Sequence, residues 1–136
     1  MPLFEEVREY KDIGDIRMRT HYQNIEPFIT KDGSEIRELM HPTVHGNSRQ
    51  SLAEATVAVG SETQKHKHNQ TEELYYITQG TGMMSLGEQQ FEVRSGDTIC
   101  IEPGTIHNIK NAGDVPLKIL CCCSPPYSDA DTELMI

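Results

Sequence analysis

The sequence has no basic surplus. Its 136 residues carry 12 Lys and Arg against 21 Asp and Glu, a formal net charge of −9, so nothing is left over to neutralise nucleic-acid phosphates or anionic lipid headgroups. Neither nucleic-acid nor membrane-surface binding is expected as the main role. Long hydrophobic runs are also missing, and the longest apolar stretch falls well short of the roughly 20 residues that span a bilayer. The N-terminus, Met1-Pro-Leu-Phe-Glu-Glu-Val-Arg-Glu9, is acidic where a secretory leader would be basic and then apolar. The expectation is a soluble, cytoplasmic protein. Cysteine is confined to Cys100 and the run Cys121-Cys122-Cys123, with no Cys-x-x-Cys pair for zinc or redox work, and neighbours on a strand project to opposite faces and do not readily bridge. They read as small, soft hydrophobes on a buried strand, which suits a reducing compartment. There is no repeat at solenoid spacing and no low-complexity tract.

What is present points to strands. At roughly 150 residues per domain the chain is one domain, long enough to form a core without disulfides. Residues 1–30 are charged and weakly patterned, with Phe4, Val7, Ile13, Ile16, Ile25 and Phe28 at no sustained period; they read as an arm holding a short strand. Asp32-Gly33 favours a hairpin turn into a strand with Ile36, Leu39 and Met40. Residues 41–48 cluster Pro, Gly, Asn and Ser, the composition of a loop long enough to act as a flap. Beyond it, short apolar segments at 51–60, 73–78, 83–86, 90–94, 98–102, 106–110 and 116–123 are separated by Gly-containing turns. That spacing predicts an all-β antiparallel sandwich or small barrel over 31–124. The tail, 125–136, is polar and opens with two prolines that end the sheet, with a final helical turn as the further expectation.

Four residues can converge on a metal ion. His66 and His68 are two apart, so on an extended segment both imidazoles face one side. Glu73 starts the next strand and can add a carboxylate oxygen across a short turn, and His107 can close the set from a later strand. Neutral imidazoles plus one carboxylate suit a divalent Mn, Fe, Co, Ni or Zn ion and poorly suit Ca or Mg. Four protein ligands on an ion that takes up to six leave room for water, substrate or dioxygen.

The frame around these residues is more specific than a lone His-x-His. Gly60, His66, His68, Glu73 and Gly80 resemble the first sequence motif of the cupin superfamily at every fixed position, and Gly96, Gly104, His107 and Asn111 resemble the second. One place departs: Glu102 stands where the family usually has Pro, and Pro103 follows it. The resemblance covers about residues 50–123. It implies a double-stranded β-helix, or jelly-roll barrel, with His66, His68, Glu73 and His107 as ligands of one divalent transition metal ion. Glu72 is the neighbouring carboxylate, and the six residues before Gly80 select Glu73. Strand alternation then turns Glu72 outward and sends Tyr75, Ile77, Ile109 and Asn111 into the barrel.

Tyr75 is the candidate for a substrate contact, weighed against a core aromatic. Gln50, Arg37, Glu54, His41 and His45 are candidates for further contacts around the site, each weighed against a solvated side chain. Of the adjacent Met83 and Met84, only one can face inward. The chain also looks like small single-domain cupins labelled mannose-6-phosphate isomerase-like, yet it has no Lys/Arg cluster near the motifs to hold a phosphate, only Lys65, Lys67 and Arg94. A divalent ion with one anionic ligand keeps positive charge, so the expected function is a small enzyme of isomerase, lyase or Fe(II) dioxygenase type acting on a small anionic or chelating metabolite. The alternative is a module that binds or senses such a metabolite without turnover. An arm and exposed sheet edges predict a homodimer, in which residues 1–30 could exchange.

Overall fold

A computed structural model describes residues 19–136. The described part of the arm contributes a 3-10 turn at Tyr22–Asn24 and strand β1 (Phe28–Ile29); Phe4, Val7, Ile13 and Ile16 lie outside the described residues. The strands that follow are β2 (Glu35–Met40), β3 (Ser51–Val57), β4 (His66–His68), β5 (Glu72–Gln79), β6 (Thr81–Leu86), β7 (Gln89–Arg94), β8 (Thr98–Ile101), β9 (His107–Asn111), β10 (Leu117–Ser124) and β11 (Thr132–Leu134). They form two antiparallel sheets, in the orders β1-β2-β3-β10-β5-β8 and β11-β4-β9-β6-β7. Turn spacing predicts an antiparallel all-β fold and the motif resemblance implies a jelly-roll; the structure has both. Among the described residues no helix is long and apolar enough to cross a membrane.

Asp32-Gly33 does turn a hairpin: Gly33 sits at φ 93°, and Thr30 N–H donates to the Ser34 carbonyl at 3.0 Å. β1 therefore pairs with β2 of its own chain, Phe28 opposite Ile36. The tail departs from the sequence reading. β10 ends before Pro125, but the chain then passes a 3-10 turn at Asp129–Asp131 and returns as β11, antiparallel to β4. Its sequence, Thr-Glu-Leu, is too short and polar to carry a period-2 signal, and only pairing with β4 makes it a strand.

The space between the sheets changes character along the strands. At one end Ile77, Met84, Leu117, Ile109 and Ile119 are fully buried, each contributing roughly 1.5–3 kcal/mol through loss of apolar surface from water. Gly82 permits this packing, because a Cβ there would stand 3.0 Å from both the Lys110 carbonyl oxygen and Leu117 Cδ2. Toward the other end the inward residues shrink or turn polar: Ala55, Ala53 and Ser51 on β3, Tyr75 and Glu73 on β5, Cys121 and Cys123 on β10, His107 on β9. The side chains there leave a cavity of about 50 Å3. Alternation holds as expected, with Tyr75, Ile109 and Asn111 buried while Tyr76 is 44% exposed, and with Met84 inside and Met83 turned out.

Candidate metal centre

Cross-strand register builds the site in pairs. His66 on β4 lies opposite His107 on β9, His68 opposite Thr132 on β11, and Glu73 on β5 opposite Cys123 on β10. Side chains directly opposite share a face of their sheet, so β4 and β9 present three imidazoles inward while β5 presents Glu73 from the facing sheet. His66, His68 and His107 each offer a ring nitrogen within 4.8 Å of the others, and all three are buried. Glu73 Oε1 is 3.2 Å from His68 Nε2 and 3.7 Å from His107 Nε2. The three imidazoles expected from the sequence are therefore clustered, with Glu73 beside His68 and His107, and Glu72 is exposed.

The protons on these rings are set by their outer neighbours. His66 Nδ1 is 2.7 Å from the Gln64 carbonyl and His107 Nδ1 is 2.9 Å from the Thr105 carbonyl. A carbonyl only accepts, so both Nδ1 atoms carry the proton. His68 Nδ1 is 2.9 Å from Thr132 Oγ1, whose own hydrogen goes to the Ser128 carbonyl at 2.8 Å, so this nitrogen also donates. Three Nε2 lone pairs consequently point inward. Burial, reinforced by His66, pushes the His107 pKa down to about 4, so its ring is neutral at physiological pH.

Glu73 is oriented in the same manner. Cys123 Sγ donates to its Oε2 at 3.4 Å, and burial, followed by the Glu73 charge, pushes the thiol pKa up and keeps the proton on sulfur. Cys123 is thus more than a small hydrophobe; Cys121 and Cys123 lie on the buried face of β10 as read, whereas alternation turns Cys122 outward and half-buried and leaves Cys100 on β8 exposed. Glu73 Oε1 and His107 Nε2 are buried without a hydrogen-bond partner. Inward lone pairs facing a carboxylate oxygen, with no donor between them, are mutually unfavourable until a cation neutralises them. The donor set, nitrogen with carboxylate oxygen, fits a divalent first-row transition ion.

Further residues line the cavity. Tyr75 enters it beside His107, with ring centroids 6.2 Å apart. Burial, then the Glu73 charge, raises its pKa well above the ordinary value, so the hydroxyl remains a donor. Asp32, Glu38, Ser51, Tyr127 and Thr132 also line the wall; sequence reading passed over them. Asp32 read as turn chemistry, and the tail that carries Tyr127 and Thr132 had no period. Glu38 was the legible one, two residues after inward-facing Ile36. Among the described residues no Lys or Arg lines the cavity.

Gln50, Arg37, Glu54, His41 and His45 are not in the wall. Arg37 stacks over Tyr22 at 4.5 Å, and Glu54 accepts from the Tyr22 hydroxyl at 2.5 Å, because these strand positions face outward. His41 and His45 bind loop and tail backbone instead: His41 N–H donates to His45 Nδ1 at 2.9 Å, and His41 Nε2 is 2.7 Å from the Tyr127 carbonyl.

Comparison with known proteins places this site in context. The family profile described as "Cupin domain" matches residues 53–123. An uncharacterized protein of Methanocaldococcus jannaschii is 58% identical over 118 residues, 87% of this chain and 94% of its own length. An oxalate-binding protein of Thermotoga maritima is 28% identical over 86 residues, 63% of this chain and 71% of its own. Among solved structures, a predicted oxalate decarboxylase of Thermotoga maritima superposes with TM-score 0.70 at 24% identity, covering 79% of this chain and 99% of that one. The polyketide cyclase RemF of Streptomyces resistomycificus gives TM-score 0.73 at 20% identity, covering 87% and 84%. At these identities the superpositions show a shared fold.

Proposed function

Because the chain belongs to the cupin family, we propose that it is a mononuclear metalloprotein, with His66, His68, Glu73 and His107 holding one divalent Mn, Fe, Co, Ni or Zn ion, and that it is a small enzyme acting on a small anionic or chelating metabolite. The observation that carries this reading is the convergence of buried, unpartnered acceptors with all three imidazole protons committed outward. When bound, such an ion supplies Lewis acidity or, as Fe(II), one-electron chemistry.

The chain's own residues define what fits. A cavity of about 50 Å3 admits a small molecule, on the scale of a short hydroxy acid or dicarboxylate. With Asp32, Glu38 and Glu73 in the wall and no Lys or Arg among the described lining residues, a phosphate ester has no cationic cradle there, and an anion relies on the metal and on neutral hydrogen-bond donors. Tyr75 donates a hydrogen bond to the ligand. Glu38 is placed to exchange a proton with it: Oε1 is buried and unpartnered, and burial raises its pKa against a smaller opposing effect of His41. Ala53, Ala55 and Ile119 exclude water beside them.

Elemental analysis of protein purified without chelators, followed by oxygen uptake with Fe(II) and turnover assays on hydroxy acids, diketones, thiols, catechols and sugar acids, tests the proposal. A preparation that is empty and takes up no transition ion overturns it. A second reading, capture without turnover, draws support from Tyr75, Tyr127, Cys121 and Cys123, which burial holds in their protonated forms. A saturable rise in melting temperature with no turnover in any assay selects it.

We also propose a homodimer, and the outer face of the larger sheet supports it. Leu52, Cys122, Leu74 and Cys100 stand in one cross-strand row over β3, β10, β5 and β8, with Leu52 37% and Leu74 41% exposed. Apolar rows of this kind favour cover by another surface. Light scattering should give twice the chain mass, and Leu74→Lys should lower it to one; a wild-type monomer at micromolar concentration rejects the dimer.

A further inference from the structure

The β1–β2 hairpin delivers a second carboxylate to the same cavity from outside the motif residues. Asp32 Oδ1 accepts three hydrogen bonds, from Thr30 Oγ1 at 2.8 Å, Ser34 N–H at 2.9 Å and Ser34 Oγ at 2.7 Å. Its backbone carbonyl accepts from Gln64 N–H at 2.9 Å, which ties the turn to the segment entering β4. Beside it, Lys31 Nζ donates to the carbonyls of Asp129 at 3.0 Å and Thr132 at 2.9 Å, tying the same turn to the tail. With Oδ1 saturated and the backbone pinned, Oδ2 is left facing the cavity, 3.7 Å from His66 Nε2, on a side chain 15% exposed.

His66 cannot donate to it, because its proton is on Nδ1 and directed to the Gln64 carbonyl. Asp32 Oδ2 and His66 Nε2 therefore confront each other as two acceptors, the same conflict that Glu73 Oε1 has with His68 and His107. A cation held by the three clustered imidazoles would relieve the Asp32 contact at His66 as well as the Glu73 contacts. Two atoms each ~2.1 Å from one ion stand about 3.0 Å apart at a right angle and about 4.2 Å apart when opposite, and 3.7 Å lies inside that range.

We infer that Asp32 is a fifth protein ligand of the metal, an inference that rests on the metal site proposed above. Five of six positions are then protein atoms and one remains, so an exogenous ligand attaches to the ion through a single oxygen. The arm hairpin becomes part of the metal site, so loading the metal also fixes the turn against β4 and the tail.

The wild-type protein loaded with Mn(II) gives the first test. Water-proton relaxation or oxygen-17 electron–nuclear double resonance counts the exchangeable waters on the ion: one is expected, and two overturn the inference while leaving the four-ligand site intact. Failure to bind Mn(II), Co(II) or Zn(II) at all overturns this inference and the metal reading together. Asp32→Asn, which keeps an oxygen for Thr30 and Ser34, should raise the count from one to two, change the visible spectrum of the Co(II) form, and weaken Mn(II) binding by roughly 10- to 100-fold. An unchanged count, spectrum and affinity in a folded Asp32→Asn protein also overturns it.

Discussion

Replacing Thr132 by valine removes one hydroxyl and keeps the shape of the side chain. The residue is 4% exposed, and its oxygen accepts from His68 Nδ1 at 2.9 Å while donating to the Ser128 carbonyl at 2.8 Å. Without it, the His68 proton has a better place on Nε2, where Glu73 Oε1 waits 3.2 Å away. The metal-free protein recovers one hydrogen bond and leaves the Ser128 carbonyl short of one, for a net loss of about 1 kcal/mol. The metal loses more, because an Nε2 that carries a proton has no lone pair to give. Disturbing such outer partners weakens binding by about 10- to 100-fold, roughly 1.4–2.7 kcal/mol. Competition of Zn(II) or Mn(II) against a chromophoric chelator measures this directly, with Thr132→Ser as the variant that restores the hydroxyl and should restore affinity. A folded Thr132→Val protein that binds within about twofold of wild type would refute the argument that this hydroxyl sets the His68 tautomer.

Two further outcomes follow from the packing and the buried imidazoles. His107 is neutral in the folded protein down to about pH 4, whereas an unfolded chain takes up its proton below its ordinary value of 6.5. The unfolded state therefore binds more protons between those values, and the metal-free protein should lose about 3 kcal/mol from this group as pH falls from 6.5 to 4. Urea titrations across that window check it: the slope should flatten in His107→Gln, and an equal slope in both proteins contradicts the assignment. Gly82→Ala places a Cβ 3.0 Å from the Lys110 carbonyl oxygen and Leu117 Cδ2, a backbone contact that cannot rotate away, and should cost about 1–3 kcal/mol in the same titration; no loss would show that β6 shifts to accommodate it.

How far these features could be read from the residues depends on their distance in sequence from what they touch. The strands from β3 to β10 were legible, because alternation and Gly-containing turns are local. So were the inward faces of β5 and β9, once Glu73 and His107 set the phase for Tyr75, Ile77, Ile109 and Asn111. Thr132 was not legible, since a lone threonine in a polar tail has no pattern; it matters only because β11 pairs with β4 and brings it opposite His68. Arg37 and Glu54 were candidates through an assumed strand facing, and the register turns them to the outer surface instead; Gln50 precedes β3 and is exposed.

Local chemistry and spacing were enough to decide that this chain folds as antiparallel strands, since periods of two and turn residues act over a few positions, and the motif resemblance added the jelly-roll and the inward set His66, His68, Glu73 and His107. The direction of the His68 proton, the thiol that orients Glu73, the entry of Asp32 and the size of the cavity were decided by the meeting of segments as much as 101 residues apart, such as Lys31 with Thr132, whereas the His66 and His107 protons go to carbonyls only two residues away. Hydrogen-bond partners of that kind are chosen by sheet register and by the docking of arm and tail, which no short stretch of residues encodes.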